Sequence, residues 1–180
     1  MQAIILAAGM GKRLGEYTQN NTKCMLEVNG VRLIDRALEI LHGLGVSRVV
    51  LVVGYKGQNV KDYVGNDYKG TPIEYVDNPV YDKTNNIYSL YLAKDYMLAE
   101  DTLLLESDLI YEPMVVQKLL DDPSPNIALV DKYESWMDGT VVTIDEEKRI
   151  TRFIDKERFK FEEIKDYYET ALDDFESDDE

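Results

Sequence analysis

The sequence has almost none of the side chains that bind soft metals or form cross-links. Cys24 is its one cysteine and His42 its one histidine, which excludes an internal disulfide and leaves no thiol or imidazole cluster for zinc. Any bound metal must take oxygen ligands. That favours Mg2+, whose sites combine one or two carboxylates with substrate phosphates and water. Cys24 reads as a small buried residue, and His42 as a cap-adjacent position in a helical pattern close to Gly43. Long apolar runs are also missing, and the amino terminus has neither the basic region nor the cleavage signal of an export sequence, so the expectation is a cytoplasmic protein with no membrane partner. Positive charge is the third shortage. A formal net charge of −15 allows no strongly basic face, which argues against a nucleic-acid partner.

The few cations are unevenly placed. Residues 1–60 hold seven Lys/Arg against four Asp/Glu, a net +3, which leaves −18 for the remaining 120. A small polyanion is therefore drawn to one end of an otherwise acidic chain. That end opens with a short apolar run, residues 2–6, and passes at once into Ala7-Ala8-Gly9-Met10-Gly11-Lys12-Arg13-Leu14. Glycines without a Cβ let the backbone turn sharply and present N–H groups to an oxyanion, while Lys12 and Arg13 add charge. Without the basic pair, two glycines after a strand would mean only a tight turn. Neither Gly-x-Gly-x-x-Gly nor Gly-x-x-x-x-Gly-Lys-Ser/Thr can be read over residues 9–18, which argues against a dehydrogenase or a P-loop ATPase.

At 180 residues with 44% hydrophobic content the chain suits one globular domain. Strand patterns recur at 2–7, 47–53, 73–77, 101–106 and 126–130, separated by helical periodicity, and this alternation predicts a mostly parallel sheet flanked by helices. Leu33, Ala37, Leu38 and Leu41 mark the first crossover helix, stopped by Gly43 and Gly45. Val60, Tyr63 and Val64 are the inward positions of a second, and Asn86–Met97 reads as one helix with Ile87, Leu90 and Tyr91 inward. The run 102–105 is the most apolar strand and implies burial on both faces. After Asp121-Asp122-Pro123 shorter strands follow, 139–144 and 149–154, joined by a turn at 145–148 and forming a small β-rich lid. Residues 161–180 hold ten acids against Lys165, so the end is expected to fray or stay disordered.

Chemistry-bearing residues cluster at strand ends. Lys23, ten residues beyond Arg13, can fold back over the glycine loop, and two cations with loop amides can cradle a triphosphate and offset charge as pyrophosphate leaves. Asp108 follows the strand 102–105, and carboxyl ends of parallel strands are where open α/β sheets bind ligands. A carboxylate there suits Mg2+ held against nucleotide phosphates; the plainer alternative is a helix cap. Asn85, Asn86 and Ser89 open a helix and offer amide and hydroxyl groups to a base edge, with Asn85 equally suited to capping. Tyr133, Trp136 and Asp138 lie in an irregular segment whose indole face and carboxylate suit an ammonium group, or whose Trp merely covers the core edge.

Together, Leu6-Ala7-Ala8-Gly9-Met10-Gly11-Lys12-Arg13-Leu14, Thr22-Lys23 and Glu106-Ser107-Asp108 resemble the motifs of the nucleotidyltransferase superfamily. The stretches 85–90 and 136–139 are most similar to bacterial CTP:phosphocholine cytidylyltransferases and their phosphoethanolamine and aminoethylphosphonate relatives. The resemblance covers residues 1–168 and implies a shortened nucleotidyltransferase domain with a Rossmann-like sheet, followed by an acidic tail at 169–180. It implies that Ala8, Gly9 and Gly11 line the nucleotide, that Arg13 and Lys23 hold its phosphates, that Asp108 binds Mg2+, and that Trp136 faces the acceptor's amine. The implied partners are CTP and a small phosphorylated or phosphonylated amine. A second metal-binding aspartate, expected after a further strand and helix, has no match; Asp173 and Asp174 stand in a different setting. A sugar-1-phosphate nucleotidyltransferase and a catalytically impaired nucleotide-binding regulatory module remain open as alternatives.

Overall fold

In order, the elements are β1 (Gln2–Ala7), β2 (Glu27–Val28), β3 (Val31–Arg32), α1 (Leu33–Gly43), β4 (Val49–Val53), α2 (Gly57–Val64), β5 (Asp67–Tyr68), β6 (Thr71–Asp77), α3 (Asn86–Leu92), α4 (Lys94–Ala99), β7 (Thr102–Glu106), α5 (Pro113–Leu120), β8 (Val141–Ile144) and β9 (Ile150–Ile154). This computed structural model describes residues 1–134, 136–137 and 140–154, with the backbone alone for Lys12 and Arg13. It divides into two units, Met1–Pro123 and one beginning at Ser124.

The first unit is a five-stranded sheet of order β5-β6-β4-β1-β7, in which β6, β4, β1 and β7 run parallel and β5 is an antiparallel edge. Every residue of β1 and β4 is buried, as unbroken apolar runs require. Alternate side chains serve two cores. Ala3, Ile5, Ala7, Val49, Leu51 and Val53 meet Ile34, Leu38 and Leu41 of α1, whereas Ile4, Leu6, Val50 and Val52 meet Ala93, Leu90 and Tyr96. Each large side chain so buried contributes about 1.5–3 kcal/mol.

α1 ends as its glycines dictate. Gly45 takes φ 69°, and the N–H groups of Gly45 and Val46 reach back to the carbonyls of His42 and Leu41 at 3.0 and 3.4 Å, a cap that needs a left-handed residue. His42, in the last turn, lies 3.0 Å from Thr71 Oγ1 through Nδ1. Cys24 is buried, and loss of water pushes its thiol up to about 11.

Several sequence expectations are corrected. Among the described residues β7 pairs with β1 alone, with Leu103 and Leu105 in the core but Leu104 44% exposed; an apolar run does not distinguish a strand covered on one face from one covered on both. The helix expected over 86–97 is broken at Ala93, whose φ of −91° and ψ of 10° separate α3 from α4. The break seats Ala93 in the core and turns Tyr96 so that its hydroxyl donates to Glu74 and its carbonyl accepts from Gln2. Ile87 and Tyr91, expected inward, are exposed, as is Tyr63 on α2. Residues 126–130 form no strand: Ile127, Leu129 and Val130 are exposed, and a strand without a ladder partner leaves its backbone groups to water. The late β-rich region is the hairpin β8–β9, with Val141 opposite Ile154. The tail and Asp173 and Asp174 lie outside the described residues.

Candidate functional site

The sheet reverses its order between β1 and β7: β4 and β6 lie to one side of β1, and β7 to the other. The crevice beyond the carboxyl ends of strands at such a reversal is where open α/β sheets take ligands. The loop after β1 builds one wall. Gly11 has φ 63°, and a Cβ there would stand 2.8 Å from Lys23 Cγ and 3.0 Å from Thr18 Cγ2. Glycine is thus required twice, by the backbone angle and by the lysine stem lying over the turn. Thr18 donates from Oγ1 to the Gly11 carbonyl at 3.0 Å and fastens the short 3-10 segment Lys12–Thr18 to the turn. Farther along, Tyr55 and Asn59 tie the loop to α2 by donating to the carbonyls of Gln19 (2.8 Å) and Asn20 (3.2 Å).

Lys23 then reaches the opposite wall. Its Nζ donates to Asp108 Oδ2 at 2.7 Å, joining the loop after β1 to the loop after β7. Both side chains keep contact with solvent, Lys23 at 27% and Asp108 at 40% relative exposure, so the pair is open to an incoming ligand. Two residues before Asp108, Glu106 accepts from Asn86 Nδ2 at 2.8 Å. The Glu106 carboxyl is held above the ordinary range, chiefly by loss of water; the Asp108 charge adds to this, while the Asn86 hydrogen bond and Lys23 oppose it.

The loops after β4 and β6 complete this end of the sheet. Gly54 lies against Tyr81 and the Ala8 carbonyl, where a Cβ would meet Tyr81 Cβ at 2.7 Å and Ala8 O at 2.8 Å; the Tyr55 N–H donates to the same carbonyl at 3.1 Å. Buried Asn78 donates to Thr84 Oγ1 (3.1 Å) and Ser89 Oγ (3.0 Å), and accepts from the Val80 N–H (3.0 Å), which shapes the loop leading into α3.

Residues 3–147 match the MobA-like NTP transferase domain. The chain belongs to that family. Over 158 residues, 88% of its length, it is 37% identical to the CMP-5'-(3-aminopropyl)phosphonate synthase of Streptomyces rubellomurinus, covering 25% of that protein. Over 142 residues, 76% of its length, it is 37% identical to the CTP:phosphoglutamine cytidylyltransferase of Campylobacter jejuni subsp. jejuni, covering 54%. In structure it is similar to the inositol-1-phosphate CTP transferase from T. maritima, with a TM-score of 0.66 and 26% identity, over 86% of this chain and 65% of that one. The chain thus spans between a quarter and two thirds of these proteins. Transferases of sugar phosphates are among its relatives too.

On this NTP transferase domain the residues singled out from the sequence divide into three sets. Gly11, Lys23 and Asp108 are brought together, and Asn86 joins them through Glu106. Gly9 is exposed and Met10 half-buried at the same turn, while Leu6, Ala7 and Ala8 are buried, so their backbone alone can face a ligand. Ser89 departs from expectation. Its hydroxyl is buried and accepts from Asn78, a framework role that takes it away from a base edge. Asn85 stands at the N-cap of α3 without a side-chain cap bond. Trp136 is 79% exposed and Tyr133 half-buried, both in the second unit. The side chains of Lys12 and Arg13, and all of Asp138, lie outside the described residues.

Glu106, Asn78, Gly54 and Tyr81 are the additions. The sequence offered one signal for them, Gly54 directly after an apolar strand; Glu106 acts through a partner 20 residues away, Tyr81 through one 27 away, and Asn78 through Thr84 and Ser89, 6 and 11 residues on. Among the described residues no three His, Cys, Asp or Glu side chains converge as a metal cage. Asp108 nevertheless fits Mg2+, an ion ordinarily held by one or two carboxylates while substrate phosphates and water supply the remaining oxygens. No described helix is long and apolar enough to cross a membrane.

Proposed function

We propose that the chain transfers CMP from CTP to a small phosphorylated or phosphonylated amine and releases pyrophosphate. The observation that carries this reading is the Lys23–Asp108 pair closed over Gly11 at the sheet's reversal point. The names of the two relatives add support, since both carry CMP or CTP with a phosphorus-bearing partner.

The triphosphate lies along the turn at 9–11, where backbone N–H groups and the Lys23 ammonium meet its oxygens, with Arg13 as a second cation. Asp108 would hold Mg2+, with Glu106 as the neighbouring carboxylate, and the ion would supply charge neutralisation at the phosphates. The acceptor's ionised phosphate or phosphonate oxygen attacks the α-phosphorus in line as the bond to pyrophosphate breaks. That nucleophile carries its own negative charge, so no general base is required. Lys23 contributes by holding positive charge where negative charge accumulates, and the framework of Thr18, Asn78 and Gly54 contributes by keeping the walls in register.

The test is to supply the chain with CTP, Mg2+ and, in turn, phosphocholine, phosphoethanolamine, aminoethylphosphonate and, as the contrasting acceptor, a sugar 1-phosphate, and to follow pyrophosphate. Release with at least one of the three amine-bearing acceptors is expected. Release only with a sugar 1-phosphate establishes the sugar reading, which the similarity to UTP--glucose-1-phosphate uridylyltransferase AglF of Haloferax volcanii, 30% over 162 residues, keeps in view. Tight CTP binding with no turnover on any acceptor overturns the enzymatic reading.

A further inference from the structure

A lysine ammonium ends a flexible four-carbon stem, so a fold can place the charge only by fixing where the stem starts and what it lies on. For Lys23, Gly11 supplies the surface. The start of the stem stands between two buried residues: Thr22 and Cys24 are 1% and 0% exposed, while the Lys23 side chain keeps 27%. Across it, the Thr22 hydroxyl and the Cys24 thiol meet at 2.9 Å. The backbone here makes one 3-10 turn, in which the N–H groups of Met25 and Leu26 donate to the carbonyls of Thr22 and Lys23 at 3.1 and 3.0 Å. The Leu26 carbonyl accepts in turn from the Leu33 N–H at 3.0 Å, which ties the turn to the start of α1.

Burial alone does not call for a hydroxyl and a thiol, since apolar groups of the same shape would fill this space at nearly the same stability. What the pair adds is direction. A hydrogen bond that spans Lys23 fixes the angle at which its stem leaves the turn, because a satisfied buried polar contact admits one arrangement where apolar packing admits several. Resting on the reading of Lys23 above as the cation that meets the triphosphate, we infer that Thr22 and Cys24 are positioning residues whose hydrogen bond aims the Lys23 ammonium into the crevice and so sets the affinity for the nucleotide.

Calorimetric titration with CTP and Mg2+ of the unaltered chain, Thr22→Val, Lys23→Ala and the double variant tests this without relying on turnover. Lys23→Ala is expected to weaken binding about ten- to hundredfold, the ordinary worth of a hydrogen bond to a charged group. Thr22→Val keeps the shape and loses the hydroxyl, and is expected to weaken binding about three- to tenfold. In the Lys23→Ala background the same substitution is expected to cost less than about twofold, because Thr22 acts through Lys23. Thr22→Ser and Cys24→Ser keep the bond and are expected to bind within about twofold of the unaltered chain, with Cys24→Ala matching Thr22→Val. An equal loss with and without Lys23 overturns the proposal, since a merely structural bond does not depend on the lysine. So does a loss in Thr22→Ser as large as in Thr22→Val, or unchanged binding in Thr22→Val or, should that variant not fold, in Cys24→Ala. If the unaltered chain binds no CTP, or Lys23→Ala binds it undiminished, the proposed function falls as well; if Lys23→Ala weakens binding and the changes at Thr22 and Cys24 do not, this inference falls alone.

Discussion

The two ends of one sheet use charge in opposite ways. At the amino ends of the strands, Arg48 is surrounded: it donates to Gln2 Oε1 (2.9 Å), Glu74 Oε1 (3.4 Å) and Glu100 Oε1 (3.2 Å), and lies 5.3 Å from the centre of the Tyr96 ring. Gln2 is fully buried and also donates to Thr102 at 3.0 Å. At the carboxyl ends, Lys23 and Asp108 have each other at 2.7 Å, and both face solvent. Arg48 is as exposed as Lys23, 27% for each, but its guanidinium is shared among three acceptors, and that shared network ties the strand ends together. An open pair contributes little to stability, yet it presents a cation and an anion at fixed places to a molecule bearing phosphates and a metal.

The largest expected effect breaks this contrast at the open end. Lys23→Ala and Asp108→Asn are each expected to lower kcat/KM for CTP-dependent pyrophosphate release by about 10²–10³, the ordinary cost of one preorganised charge. Stability should move by no more than about 1 kcal/mol, because a solvent-facing pair is screened. Steady-state kinetics and urea unfolding of the same preparations check both halves. A large loss of stability with unchanged turnover of the folded fraction would make the pair structural and erase the contrast.

The next prediction strikes the closed end. Arg48→Met keeps the length of the side chain and removes every hydrogen bond it donates, so that Gln2 Oε1 loses its partner while Glu74 keeps the Tyr96 hydroxyl and Glu100 keeps Ser47 and the terminal ammonium. Solvent partly reaches these groups, so a loss of about 1–3 kcal/mol is expected from urea unfolding. The CTP constants of the folded protein should be unchanged. A shift in KM would show that the two ends communicate through the sheet.

How far the sequence disclosed this arrangement follows the same division. β1, β4 and the glycine turn were readable because burial on both faces demands unbroken apolar runs and a sharp turn demands glycine. α1 and its stop at Gly45 were readable because cap chemistry is local. The break at Ala93 was not, since propensity favours a continuous helix, and distant partners in the folded chain, Glu74 and Gln2, hold Tyr96 in place. Ile87 looked inward by spacing for the same reason, the periodicity having been extended across a break. At the site, Lys23 and Asp108 could each be chosen by local setting, but their meeting spans 85 residues of chain. Glu106 carries no local signal of its own beside Asp108, because its partner Asn86 stands 20 residues away and is brought to it only by the fold.

The smallest expected effect tests the acceptor role that the sequence resemblance implies for Trp136. Trp136 is 79% exposed, and an exposed indole face attracts a quaternary ammonium by about 0.5–1 kcal/mol. Trp136→Ala is therefore expected to raise the KM for a choline-like acceptor about two- to fivefold, while the KM for CTP and the melting temperature stay where they were. A sugar phosphate, which has no cation to place over the ring, should be indifferent to the change. Pyrophosphate release measured against acceptor concentration separates these outcomes, and a KM that rises equally for both acceptors would show that Trp136 acts on a feature they share, their phosphate, and not on the amine.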